Sequence, residues 1–242
     1  HLPFVPTLLE ANPQQGYLAE EYLGGTHPQN FAGCRDDFAD VYRQLLVRFL
    51  LAFEPRPVRV PTYVASLAEE IMAPDGLLSR LPAESRGRVT RFVERTLEGL
   101  AGSDGELPRV LAHGDYFSGN ILVDGDRTWA IDWANMGWRS PLHDLYYLYL
   151  NHCTRVLGAA DLERCLGAAS KSLREALRQE DRSRFEELRP WLEPDDTNRL
   201  LFYLECIHVP LMRCARPDDR YIASMLERVG WFEEFEAAGP QQ

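Results

Sequence analysis

Residues 111–133 read Leu-Ala-His-Gly-Asp-Tyr-Phe-Ser-Gly-Asn-Ile-Leu-Val-Asp-Gly-Asp-Arg-Thr-Trp-Ala-Ile-Asp-Trp. Asp115, Asn120 and Asp132 carry three oxygen-bearing side chains, and their surroundings govern how these meet. Residues 120–123 and 128–133 are short β-rich runs joined by Asp124-Gly125-Asp126-Arg127, and Asp-Gly between apolar runs is a strong hairpin signal. A hairpin returns Asp132 to the end where Asn120 begins. Asp115 sits in a glycine-containing loop after another apolar run, 109–112, so all three groups can converge on one edge. Moving a phosphoryl group between oxygens calls for a carboxylate beside the acceptor hydroxyl and oxygen ligands for magnesium. The stretch supplies both.

His-Gly-Asp at 113–115, Asn120, a hairpin and Ile131-Asp132 together resemble the aminoglycoside phosphotransferase and choline kinase family of protein-kinase-like enzymes. The resemblance implies that Asp115 is the catalytic base, that Asn120 and Asp132 are magnesium ligands, and that His113 shapes the loop. It continues into Ser140-Pro141-Leu142-His143-Asp144-Leu145, similar to the family's segment after the hairpin, where an aspartate opens a helix and braces the catalytic loop. Asp144 would take that part, with an ordinary helix N-cap as the plainer alternative. Upstream, 16–25 reads as a strand ending in a Gly-Gly break and is similar to the family's hinge, whose backbone receives the adenine over Glu21, Tyr22 and Leu23. A simple hairpin edge would look the same.

The fold so implied is α+β and mostly helical: a protein-kinase-like C-terminal lobe with a short catalytic β-hairpin and a remnant of the N-terminal lobe. Residues 1–25 would hold the end of the nucleotide-binding lobe and the hinge. Residues 26–242 would hold the C-terminal lobe, with the catalytic loop at 113–120, the metal-binding hairpin at 120–133 and a helical substrate subdomain at 144–237. The family carries a phosphate-covering loop and a lysine on strands before the hinge. Here the sole lysine, Lys171, lies downstream in a polar stretch that reads as a solvated helix face, so most of the N-terminal lobe is expected to be missing from the sequence.

Composition narrows the partners. The chain has 242 residues, 45% hydrophobic and 26% charged, with a formal net charge of −11. That is enough for one sizeable core. The acidity disfavours nucleic acid and tolerates a cationic small molecule. No apolar run reaches membrane-spanning length, so a cytoplasmic enzyme is expected. Five cysteines without a C-x-x-C pair suggest buried free thiols. Magnesium and ATP, with GTP left open, are the expected cofactors, and a small hydroxyl-bearing acceptor the expected partner. The oligomeric state is not legible.

The remainder reads as helix. Residues 36–53 and 84–100 carry apolar side chains at three- and four-residue intervals, and further helices are expected near 144–157, 160–180, 196–214 and 218–237. Pro210 should kink or end the third of these four. A substrate pocket between the catalytic loop and the last helices would draw on Trp133, Asn135, Trp138, Glu205, His208, Asp218 and Asp219. Carboxylates there could recognise amines, and Trp133 or Trp138 could stack on a quaternary ammonium; each also reads as plain core or surface. Three functions compete: a magnesium- and nucleotide-dependent small-molecule kinase, a kinase-like binding module without the nucleotide lobe, and a metal phosphohydrolase built on His113, His143-Asp144 and His152. The last leaves Asn120 and Asp132 unused.

Overall fold

The computed structural model describes residues 2–12, 17–21, 23–27, 36–152 and 159–238. The chain opens with an antiparallel pair, β1 (Leu8–Asn12) and β2 (Tyr17–Glu20). Helix α1 (Asp36–Ala52) follows, and its apolar stripe delivers Tyr42, Leu45, Leu46, Phe49 and Leu50 to the core. Truncating one such buried aromatic typically costs about 3–5 kcal/mol.

Between α1 and the next expected helix the chain builds β3 (Arg56–Arg59), α2 (Val60–Ile71) and the single turn α3 (Leu77–Arg80). None of these stood out in the sequence. Helix α4 (Ala83–Leu100) then leads into β4 (Glu106–Ala112), the central strand of a three-stranded antiparallel sheet. The hairpin expected after the loop is β5 (Ile121–Asp124) and β6 (Arg127–Ala130), paired Ile121 to Ala130 and Asp124 to Arg127. Gly125 turns it at φ 56°, a backbone that glycine adopts at little cost. Strand β7 (Gly137–Arg139) returns to β4, with Val110 opposite Arg139 and Ala112 opposite Gly137.

Among the described residues five α-helices follow: α5 (His143–His152), α6 (Ala159–Glu180), α7 (Arg182–Leu188), α8 (Asp196–Arg213) and α9 (Arg220–Ala238). Helix α8 is the spine of this half, buried along Leu201–Ile207 and packed by α2, α4 and α9. It passes Pro210 and ends one turn later, where the Cys214 N–H donates to the Pro210 carbonyl. No described helix is long and apolar enough to cross a membrane.

The cysteine expectation needs correction. Cys206 and Cys214 are free, but Cys165 on α6 is disulfide-bonded. An odd cysteine count without a C-x-x-C pair does not exclude a single bridge, so it was a poor guide.

Candidate active site

The site is built on the loop between β4 and β5. His113 is wholly buried in an aromatic cluster with Phe49 and Trp133. Its Nε2 lies 2.9 Å from the Ile131 carbonyl, and its Nδ1 accepts the Asp115 N–H at 3.3 Å. A carbonyl only accepts, so the proton sits on Nε2. The ring thereby ties the loop to the end of the hairpin. Gly114 follows at φ 81°, and a Cβ there would lie 2.3 Å from the Asn135 carbonyl oxygen, so only glycine fits.

Asp144, in the first turn of α5, holds the same loop from the other side. Its two carboxylate oxygens accept the His113 N–H at 2.7 Å and the Gly114 N–H at 2.9 Å. Charge-assisted bonds of this kind are about twice as strong as neutral ones.

Asp115 itself is half-buried. The Asn120 amide donates to its backbone carbonyl at 2.8 Å and to its Oδ2 at 3.1 Å, which takes both N–H groups and leaves the amide oxygen as the remaining polar atom of Asn120. The Tyr147 hydroxyl donates to Asp115 Oδ1 at 2.5 Å and in turn accepts from Arg228 at 2.9 Å. Burial pushes the Tyr147 phenol well above its ordinary value, so it stays a donor. Neither Tyr147 nor Arg228 stood out in the sequence. Tyr147 follows Asp144 by one helical turn, a spacing that puts both on one face of α5; Arg228 has no local signal.

At the hairpin's open end the Ile131 N–H donates to the Asn120 carbonyl at 2.9 Å, which sets Asp132 beside Asn120. Asp132 is exposed and takes φ 59°, ψ 60°, the only left-handed non-glycine among the described residues. Strained backbone of that kind concentrates at functional sites. An anionic carboxylate and a neutral amide oxygen are the kinds of donor that suit a hard divalent cation.

A cavity of about 480 Å³ opens beside Asp115, walled by the loop, by α5 and by the facing sides of α8 and α9. Asn135 and Asp219 line it; Asn120 and Asp132 do not. The other substrate candidates fall elsewhere. Trp133 packs under the loop, its indole N–H on the Ala130 carbonyl. Trp138 lies beneath Arg56, the guanidinium 4.0 Å from its ring. His208 pairs with Glu70 at 2.6 Å. Asp218 is exposed and does not line the cavity. Glu205 is in the core, where it accepts from Tyr63, from the Ser140 N–H and hydroxyl, and from His143. Isolated charged residues on helices gave no sign of which way they would face.

Of the hinge residues, the Glu21 N–H is taken by the Thr7 carbonyl at 2.8 Å, extending the β1–β2 pairing, and Leu23 is half-buried. Tyr22 lies outside the described residues. Lys171 is exposed on α6. For the phosphohydrolase reading, no three His, Cys, Asp or Glu side chains gather among the described residues to hold a metal. His113 and His143 both direct their ring nitrogens to protein partners. The His152 side chain lies outside the described residues.

Solved structures share this fold. A thermostable mutant of aminoglycoside phosphotransferase APH(4)-Ia, solved with ADP and hygromycin B, superposes with a TM-score of 0.56 at 14% identity, over 100% of this chain and 79% of that one. A choline/ethanolamine kinase family protein from Mesorhizobium loti gives 0.50 at 18% identity, over 96% and 74%. Glucosamine kinase gives 0.47 at 14% identity, and the chain spans only about half, 51%, of its length. A comparison with curated proteins found no match. The model of the phosphotransferase enzyme family (APH) matches residues 5–190, most of the chain, which therefore belongs to that family and has its protein-kinase-like fold.

Proposed function

We propose that the protein transfers the γ-phosphoryl group of ATP to a hydroxyl of a small molecule in a magnesium-dependent reaction. The observation that carries this reading is the placement of Asp115. It is hydrogen-bonded to Asn120 on one side and lines the cavity walled by α5, α8 and α9 on the other.

In this reading the acceptor lies in the cavity with its hydroxyl against Asp115. The carboxylate orients that hydroxyl and takes its proton as the oxygen bonds to the γ-phosphorus and the bond to ADP breaks. Tyr147 and the Asn120 amide hold the carboxylate in one orientation from both of its oxygens. The Asn120 amide oxygen and the Asp132 carboxylate would hold magnesium, which when bound neutralises phosphate charge and aligns the nucleotide. Asp144 keeps the loop that carries Asp115 fixed throughout.

The test is phosphoryl transfer from radiolabelled ATP, with and without magnesium, over a panel of sugars, amino alcohols and aminoglycosides. Labelled product that disappears in Asp115→Asn supports the reading. Transfer that persists undiminished in that variant, or absence of any transfer across the panel, counts against it.

A further inference from the structure

The overall charge of the chain and the charge of its cavity have opposite signs. The chain carries a formal net charge of −11. Yet the cavity beside Asp115 is lined by four arginines, Arg139, Arg213, Arg220 and Arg228, against two aspartates, Asp115 and Asp219. Chance placement on so acidic a protein would give the reverse.

Neither aspartate forms an ion pair with these arginines among the described residues, but the charge of Asp115 reaches Arg228, that of Asp219 reaches Arg220 and that of buried Glu205 reaches Arg139, which leaves Arg213 the least offset of the four. Asp115 accepts from Tyr147 and Asn120, and Asp219 accepts the Tyr221 N–H at the start of α9. The hydrogen bonds of the arginines go to neutral groups: Arg139 to the His143 ring and the Asn135 carbonyl, Arg213 to the Asn135 amide oxygen and the Met136 carbonyl, Arg220 to Tyr221, Arg228 to Tyr147. Burial and the nearby charge of Arg139 both push the Arg213 guanidinium below its ordinary value. The two residues placed for the nucleotide's metal, Asn120 and Asp132, do not line this cavity, so the excess positive charge faces the acceptor side.

We propose that the acceptor is a hydroxylated small anion, a sugar-sized molecule bearing a carboxylate or phosphate. Arg213 and Arg220 at the cavity mouth bind the anionic group while its hydroxyl meets Asp115. Guanidinium forks match both carboxylate and phosphate, often through two parallel hydrogen bonds. The inference rests on the phosphotransferase reading for the role of Asp115, but not for the charge preference, which binding alone can measure. A polycationic acceptor such as an aminoglycoside would meet repulsion from Arg213 and Arg220 at the cavity mouth.

The experiment is calorimetric titration of the 242-residue chain at low salt with glucosamine, glucose, glucuronate and glucose 6-phosphate, a series on one sugar scaffold. At least one anion should bind about tenfold more tightly than glucosamine, and the tighter of the two identifies carboxylate or phosphate as the recognised group. Arg213→Gln and Arg220→Gln, both at exposed positions, should reduce that preference to about twofold or less. Equal or tighter binding of glucosamine, or no binding of either anion, overturns the proposal. So does displacement of the bound anion by ADP, which would assign the arginines to nucleotide phosphate. A chain that prefers the anions yet transfers no phosphoryl group fails the functional reading alone; one that phosphorylates glucosamine in preference to glucuronate and glucose 6-phosphate fails this one alone.

Discussion

Tyr147 donates its hydroxyl to Asp115 across 2.5 Å, joining the first helix after the hairpin to the carboxylate at the centre of the site. Arg228, on α9, donates to the same phenol oxygen at 2.9 Å and lies 5.1 Å from the ring centroid. A carboxylate held this way has one orientation available when an acceptor arrives. Replacing Tyr147 by Phe removes one charged hydrogen bond and little volume. A bond of that kind is worth about 1.5–3 kcal/mol, so kcat should fall about 10- to 100-fold while nucleotide affinity is unchanged. Arg228→Gln should act in the same direction and more weakly, because it touches Asp115 only through Tyr147. Steady-state kinetics decide the matter: unchanged kcat in Tyr147→Phe would show that the tyrosine only packs.

The two sides of the site should separate in mutants. Asp115→Asn keeps Asp132 and the Asn120 amide oxygen, though it gives up one of the two bonds accepted from Tyr147 and Asn120, and should lower turnover by about 10²–10⁴ with nearly normal magnesium-nucleotide binding. Asp132→Ala should weaken that binding and turnover together, and Asn120→Ala should do so less, since a neutral ligand is lost. Calorimetry with magnesium and a non-hydrolysable ATP analogue checks the contrast. Normal affinity in Asp132→Ala would take the hairpin aspartate out of metal binding.

Backbone conformation offers a prediction that does not depend on activity. Asp132 at φ 59° pays for its left-handed backbone, whereas glycine adopts it freely. Asp132→Gly should therefore be neutral or raise the melting temperature by about 2–4 °C, a gain of about 1 kcal/mol, while removing a proposed metal ligand. Gly114→Ala should do the opposite, since its Cβ would meet the Asn135 carbonyl oxygen at 2.3 Å. A loss of about 1–3 kcal/mol in chemical denaturation is expected. A melting temperature lowered in Asp132→Gly would mean that its carboxylate stabilises the fold by more than its strain costs.

Local pattern explains what was legible. The kinase-like fold could be read from 113–132 because the loop, turn and hairpin are contiguous, and each step is set by neighbours in sequence. Helices α1, α4, α6, α8 and α9 were readable because their apolar residues recur on one face. Strand β3 and helices α2, α3 and α7 were not, being short and lacking glycine-rich boundaries; β3 exists because β4 offers it a partner. The cavity was hardest of all. Arg139, Arg213, Arg220 and Arg228 come from β7, α8 and α9, and no sequence window contains them together. Glu205 shows the converse. As an acidic residue near the pocket it invited a substrate role, but its helix turns it inward to hold Ser140 and His143.

That buried carboxylate should make the protein acid-sensitive. Glu205 is 1% exposed and accepts from the Tyr63 hydroxyl, the Ser140 N–H and hydroxyl, and His143 Nδ1. Arg139, on β7, donates to the other nitrogen of His143, so the proton sits on Nδ1 and the ring is neutral. Burial pushes His143 below its ordinary value of 6.5 and the Arg139 charge adds to the effect, outweighing the opposing pull of Glu205 and Asp144. Burial alone would raise Glu205, but the His143 hydrogen bond, the Arg139 charge and the Ser140 N–H hold it below its ordinary 4.5. Both folded values lie under the unfolded ones, so on acidification the unfolded chain takes up protons first. Stability from His143 is therefore complete above about pH 6.5 and is lost as the pH falls below it; that from Glu205 is complete above about 4.5 and lost below. Melting temperature should be level from pH 8 to 7 and decline from about pH 6.5 downward. Glu205→Gln should cost about 3–5 kcal/mol at neutral pH by breaking a buried charged network. His143→Asn, which can still donate to Glu205 but does not titrate, should flatten the decline between pH 6.5 and 5. A wild-type melting temperature that holds steady or rises over that interval would show that His143 protonates in the folded protein without penalty.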